Sequence, residues 1–244
     1  METVLQETVT KFLDDGYAVM SRYCGDADIA RLKAAANRLI ADRTGGSGKI
    51  PSLLWIRAQA NELLLFDPCL LERTRALSEQ YFAAPCEDLG VRLFVKPALV
   101  GAAVPWHQDE AYSDPAIDQP QLNVWIPLQN VTEESGCLRV APRSHLGSLV
   151  PHRKAAMPLT LEIDRDPPVD TKSLEIECGD AALLDRRILH ASFPNRSSNE
   201  RIAMVLICRG EPKRRNHPIE APWLDSLKAF ANMNTNLALS GPAK

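Results

Sequence analysis

From about residue 90 onward the sequence stops repeating at helical spacing and becomes a succession of short apolar, β-branched runs divided by Pro and Gly. Such runs cover about 91–100, 121–131, 136–141, 173–178, 181–185 and 201–209, with PALVGAAVP, ESG and ECGD among the breaks. A parallel α/β sheet needs a helical crossover between strands. Strands that follow one another without one pair antiparallel and pack as a sandwich or barrel. The first 90 residues behave differently. Val4, Leu5, Val9, Phe12 and Leu13 recur near helical spacing over residues 3–15, and Gly16 ends the run. YAVM (17–20) reads as a short strand. Residues 27–42 give a second helix, with Ile29, Leu32, Ala35, Leu39 and Ile40 on one face and Asp26 as N-cap, and 69–83 give a third. Gly45, Gly46 and Gly48 open a loop, and the proline-rich stretch 146–172 reads as another; both 44–60 and 146–172 are candidate lids. The expected architecture is mainly β with flanking helices: one domain over 1–244. Residues 1–90 form a largely helical support layer and part of the sheet, 91–210 the β core, and 211–244 a C-terminal extension.

The bulk properties exclude several function classes. Among 244 residues, 45% are apolar and 24% charged, an ordinary globular balance. A formal net charge of −3 and a single basic cluster, Lys213-Arg214-Arg215, read as a solvated loop, give no nucleic acid partner a footprint. No apolar run approaches the roughly 18–20 residues of a membrane span. The early acids argue against a signal peptide, so no membrane partner is expected. Cys24, Cys69, Cys86, Cys137, Cys178 and Cys208 lie far apart with no CxxC. They read as free, mostly buried thiols of a cytoplasmic protein, not as a zinc site. Nothing in the pattern carries the signature of an oligomeric state.

The strongest local signal is PWHQDE, residues 105–110. On an extended strand positions i and i+2 share a face, so His107 and Asp109 can reach one metal from a single strand end. Alone, an HxD pair is weak evidence, because an exposed polar pair before a loop carries it by chance. His190, in GDAALLDRRILHASFPN, follows the apolar AALL strand and supplies a second imidazole. Two His and one carboxylate leave neighbouring positions of an octahedral ion open, which suits Fe(II) that must also take a bidentate cosubstrate and O2. Arg201 opens the apolar strand RIAMVLICR. If it points inward it needs an anion, and its planar fork suits a carboxylate; if outward, it pairs with Glu200 or another acid.

Taken together, RLFVKP (92–97), WHQDE (106–110), QLNVWIPLQNVTEESGCLRVAPRSH (121–145) and CGDAALLDRRILHASFPNRSSNERIA (178–203) resemble the phytanoyl-CoA dioxygenase family of Fe(II)/2-oxoglutarate oxygenases. The resemblance implies a double-stranded β-helix, the cupin-like jelly roll. It implies His107, Asp109 and His190 as iron ligands and catalytic centre. Arg201 then matches the arginine that grips the distal carboxylate of 2-oxoglutarate, Ser192 a hydroxyl supporting it, and Trp125 a wall of the same pocket, though a WIPL strand also suits a core tryptophan. Arg92 stands where the family has a cosubstrate-pocket residue of another type. Gln108, Phe193 and Arg143 are assigned to the substrate pocket; Arg143 replaces a commonly seen glycine. His145 reads as a turn or core histidine, and His152 and His217 as solvated loop residues. The implied activity couples 2-oxoglutarate and O2 to succinate and CO2, with ascorbate as an in vitro activator. The expected substrate is a small or medium metabolite, oxidised at an unactivated C–H bond. Related halogenases replace the carboxylate by a small residue, so Asp109 implies hydroxylation or another C–H oxidation. Two other classes fit some of the residues: a non-catalytic metal and 2-oxoglutarate-binding sensor or structural jelly-roll protein, and a zinc or manganese hydrolase that would leave Arg201 without a role.

Overall fold

The computed structural model describes residues 2–59, 62–157 and 160–225. The N-terminal part comprises helix α1 (Glu2–Asp15), strand β1 (Tyr17–Met20), α2 (Asp26–Thr44), β2 (Leu54–Arg57), α3 (Pro68–Phe82) and β3 (Asp88–Lys96). The rest is strand after strand: β4 (Val104–His107), β5 (Ile117–Asp118), β6 (Gln121–Pro127), β7 (Leu138–Val140), β8 (His152–Lys154) and β9 (Leu161–Ile163). It ends with β10 (Lys172–Leu174), β11 (Ala181–Asp185), β12 (His190–Ser192), β13 (Arg201–Arg209) and β14 (Lys213–Arg214). The strands form a six-stranded sheet, β1-β11-β6-β13-β3-β2, and a four-stranded sheet, β10-β7-β12-β4, with two small ladders, β5-β14 and β8-β9. Every ladder is antiparallel. Two facing antiparallel sheets give the expected jelly roll.

Strand β13 explains how the layers are held. Its residues are buried on both faces, which is why RIAMVLICR is a continuous apolar run and not an alternating one. Ile202, Met204, Leu206 and Cys208 face outward into a core shared with Leu32 and Leu39 of α2 and Leu70 and Leu77 of α3. Ala203, Val205 and Ile207 face the interior between the sheets, against Trp125, Leu138, Val140 and Leu184. Each fully buried leucine of this kind contributes about 1.5–3 kcal/mol. The helices are therefore a backing layer for the sheet that carries the cavity on its other face.

The α1–β1 turn requires glycine at position 16. Gly16 has φ +80°, and a Cβ there would stand 2.4 Å from His145 Nδ1. His145 is buried and donates from Nε2 to the Leu13 carbonyl at 3.0 Å, so it is the turn histidine expected. Phe12 is the buried anchor of α1, whereas Leu13 is exposed, and the side chains of Val4 and Leu5 lie outside the described residues.

Several expectations need correction. The N-cap of α2 is Gly25, not Asp26, because Asp28 at the third helical position accepts from the Gly25 amide and leaves Asp26 inside the first turn. Strand β3 stops at Lys96, since Pro97 offers no N–H to a ladder. The 146–172 stretch is not a plain loop: its residues form the β8–β9 hairpin, braced by Arg153 on Glu162 and Asp164. Segment 44–60 likewise contributes β2 to the edge of the large sheet. Residues 226–244 of the expected extension lie outside the described residues, and Lys213 and Arg214 pair with β5 instead of forming a free loop. Among the described residues no helix is long and apolar enough to cross a membrane.

Candidate active site

Strand β4 ends on His107. Gln108 stays extended, at φ −119° and ψ 134°, before the 3-10 turn Asp109–Tyr112 begins. The extended link is what lets His107 and Asp109 emerge on one side. His190 opens β12 and is the direct Cα partner of His107 in the four-stranded sheet. It does not simply extend the AALL strand: β11 belongs to the six-stranded sheet, and the chain crosses between sheets over residues 186–189. The imidazole centroids are 4.2 Å apart. Asp109 Oδ1 lies 3.5 Å from His107 Nε2 and 3.9 Å from His190 Nε2, and all three candidate ligand atoms fall within 4.8 Å of one another.

The rings are set for a metal. His107 Nδ1 donates to the Pro105 carbonyl at 2.9 Å and His190 Nδ1 to the Ile188 carbonyl at 3.0 Å. A carbonyl only accepts, so each Nδ1 carries its proton and each Nε2 turns a lone pair toward Asp109. Burial, reinforced by the neighbouring His107, lowers the pKa of His190 to about 4, so that ring is neutral at pH 7. Burial alone would raise the pKa of Asp109, but the charge of His190 in its protonated form, the His107 ring beside it and the Arg92 guanidinium outweigh it and hold the carboxyl well below the usual carboxylate range. Its Oδ2 accepts from Asn123 Nδ2, leaving Oδ1 for the ion. Asn123 was not singled out from the sequence. The signal for it is spacing, since it stands two before Trp125 on β6 and shares its inward face.

The same cavity contains the predicted cosubstrate residues. Arg201, Ser192, Trp125 and Arg92 line it together with the triad and Asn123, between walls of Phe94, Leu138, Leu184, Val205 and Ile207. Arg201 is 2% exposed, its Nε has no hydrogen-bond partner, and among the described residues no carboxylate reaches it. Its guanidinium carbon lies 5.8 Å from the Trp125 ring centroid. The alternative pairing with Glu200 is thus absent. Ser192 accepts from Lys96 Nζ at 2.8 Å.

The three residues assigned to the substrate pocket do not line this cavity. Gln108 is fully buried and turned away: it donates to the Arg187 carbonyl at 2.6 Å and accepts from the Val150 amide at 2.9 Å. Phe193 packs beneath Arg139, whose guanidinium carbon is 4.8 Å from its ring, outside the cavity lining. Arg143 sits near Asp15 on the α1 side, with φ +66°, the left-handed conformation that explains the common glycine at this position.

His152 is also corrected, from solvated to 5% exposed. Its Nδ1 donates to the Val150 carbonyl and its Nε2 accepts from the Gln108 amide at 3.1 Å, bracing the link between the two HxD residues. Burial lowers its pKa to about 4 from 6.5. A depressed histidine stabilises the fold fully above pH 6.5 and progressively less as the pH falls toward 4, because the unfolded chain then binds the extra proton. The stability gap between wild type and His152→Gln should therefore shrink by about 1–2 kcal/mol between pH 7.5 and 5, read from urea midpoints. An unchanged gap would mean that His152 titrates normally.

Comparison with known proteins places this geometry in context. The chain is 30% identical over 179 residues to a phytanoyl-CoA dioxygenase of Arabidopsis thaliana, covering 66% of this chain and 60% of that one. It is 26% identical over 172 residues to an L-proline trans-4-hydroxylase of Streptomyces griseoviridis, covering 62% and 64% respectively. The matched region thus spans less than two thirds of either relative. Among solved structures, EvdO2 of Micromonospora carbonacea var. aurantiaca complexed with 2-oxoglutarate superposes with a TM-score of 0.78 at 27% identity, over 89% of this chain and 95% of that one. The phytanoyl-CoA dioxygenase (PhyH) family model matches residues 12–203, and with the triad and jelly roll in place the chain belongs to that family.

Proposed function

We propose that this protein is a non-haem Fe(II)/2-oxoglutarate-dependent dioxygenase that oxidises an unactivated C–H bond of a small or medium metabolite. The observation that carries the reading is Arg201: a guanidinium buried without an anion, facing the same cavity as a two-His, one-carboxylate cluster. A buried unpaired charge is expensive unless a ligand supplies its partner. A dicarboxylate does so at the right place, and a bound 2-oxoglutarate in the similar EvdO2 supports the choice.

The donor set fits the metal. Two Nε2 lone pairs and one carboxylate oxygen converge, and their second-row partners are backbone carbonyls and Asn123. Fe(II) held there, with 2-oxoglutarate and O2, would supply the oxidising chemistry and release succinate and CO2. The chain's own residues bind and orient. Arg201 would grip the distal carboxylate through paired N–H donors, Ser192 would donate its hydroxyl to it, and Trp125 would wall the carbon chain. Arg92 brings a further cation beside Asp109 and is assigned to the cosubstrate. The apolar walls exclude water from the reacting volume. Residues 1–244 act as one oxygenase unit, and the free cysteines support a cytoplasmic setting.

Aerobic incubation with Fe(II), ascorbate and 2-oxoglutarate, without any substrate, should give slow succinate formation that EDTA abolishes. Metal and 2-oxoglutarate binding with no succinate at any enzyme concentration would instead leave a non-catalytic sensor.

A further inference from the structure

Among the described residues Lys96 is the one buried lysine, and the proposed chemistry leaves it unused. It is 0% exposed and lies directly across the ladder from Arg201, as its Cα partner on β3. Its Nζ has two acceptors, the Ser192 hydroxyl at 2.8 Å and the Phe193 carbonyl. Among the described residues no carboxylate pairs with it. The site is built around the stem: a Cβ at Gly101 would stand 2.7 Å from Lys96 Cβ, and one at Gly136 3.3 Å from its Cδ. Asn195 Nδ2 holds the Lys96 carbonyl at 3.1 Å. Lys96 does not line the cavity, but Ser192 and Arg201 do. A hydroxyl that accepts from an ammonium has its own hydrogen free, so Ser192 is left as a donor toward the cavity.

We propose that Lys96 is a positioning residue for the distal carboxylate of the cosubstrate: it orients the Ser192 hydroxyl and sets a second positive charge behind Arg201. The inference rests on the 2-oxoglutarate reading above and adds a residue to it. Two adjacent cations without an anion repel each other, and a dianion relieves that repulsion. The charged or titratable groups acting on Nζ are Arg201 from β13 and the Cys137 thiol preceding β7; its β12-side contacts, Ser192 and the Phe193 carbonyl, are neutral. Burial, then Arg201, lowers the pKa of Lys96 to about 6, so the empty site leaves it mostly unprotonated at pH 8 and a bound carboxylate recharges it.

The test is anaerobic calorimetry of the Fe(II)-loaded protein with 2-oxoglutarate and with 2-oxobutanoate, which lacks the distal carboxylate, in buffers of different ionisation heat at pH 8. Wild type should take up close to one proton with 2-oxoglutarate, and about none with 2-oxobutanoate. Lys96→Met should weaken 2-oxoglutarate by about 10- to 50-fold, leave 2-oxobutanoate unchanged and abolish the uptake. A purely structural lysine would weaken both ligands alike. Retention of both the selectivity and the proton uptake in Lys96→Met overturns the proposal. So does wild type that binds 2-oxoglutarate without taking up a proton, a result that needs no variant to fold. If 2-oxoglutarate does not bind at all, the oxygenase reading falls as well, and that failure is distinct.

Discussion

Asp109→Ala should lower Fe(II) affinity and 2-oxoglutarate-dependent succinate formation by more than about 100-fold, the upper end of what removal of a supporting partner alone causes. Asp109 is the only anion among the three candidate ligands, and its Oδ1 is the atom both imidazoles face. Without it, two imidazoles remain to hold a hard divalent cation that prefers an oxygen donor. The fold should survive, because the side chain contacts the cavity and Asn123 and takes no part in either apolar core. Metal content after anaerobic loading and oxygen consumption read the effect. A variant that keeps stoichiometric iron and wild-type turnover would remove Asp109 from the site.

Arg201→Met should raise the 2-oxoglutarate concentration needed for half-maximal succinate formation by about 10²- to 10³-fold. Truncating one partner of a buried charged pair costs about 2–5 kcal/mol, because the other is left without compensation. Iron loading should be unaffected, since Arg201 enters none of the contacts among the triad. That split separates the anchor from the metal site: Asp109→Ala loses iron, whereas Arg201→Met loses the cosubstrate. An unaltered requirement would show that the guanidinium meets no ligand. The substitution also removes a buried charge with no protein partner, so the apo variant should be no less stable than wild type.

The elements were legible wherever the period was clean. The second and third helices, read at 27–42 and 69–83 and found at 26–44 and 68–82, follow from apolar spacing, and the strand 201–209 follows from an unbroken apolar run buried on both faces. The triad and Arg201 were legible because an HxD, a third ligand and an inward cation form a chemical set. What the sequence hid was direction. Gln108 stands between two ligands, yet its amide is spent on Arg187 and Val150, a fact set by the β8–β9 hairpin that weak periodicity concealed. His152 looked solvated for the same reason. Lys96 ends a strand before a proline, where a lysine ordinarily meets solvent, and only the two-sheet closure encloses it. Asn123 shows the converse: its face was readable from Trp125, but its partner lies fourteen residues back across a sheet.

The direct pairing of His107 with His190 carries one more consequence. β4 is the terminal member of its sheet, bonded on one side only to β12. An ion gripped by both rings would therefore work as a rivet through the selvedge of the small sheet, and loading it and fastening that border become a single equilibrium.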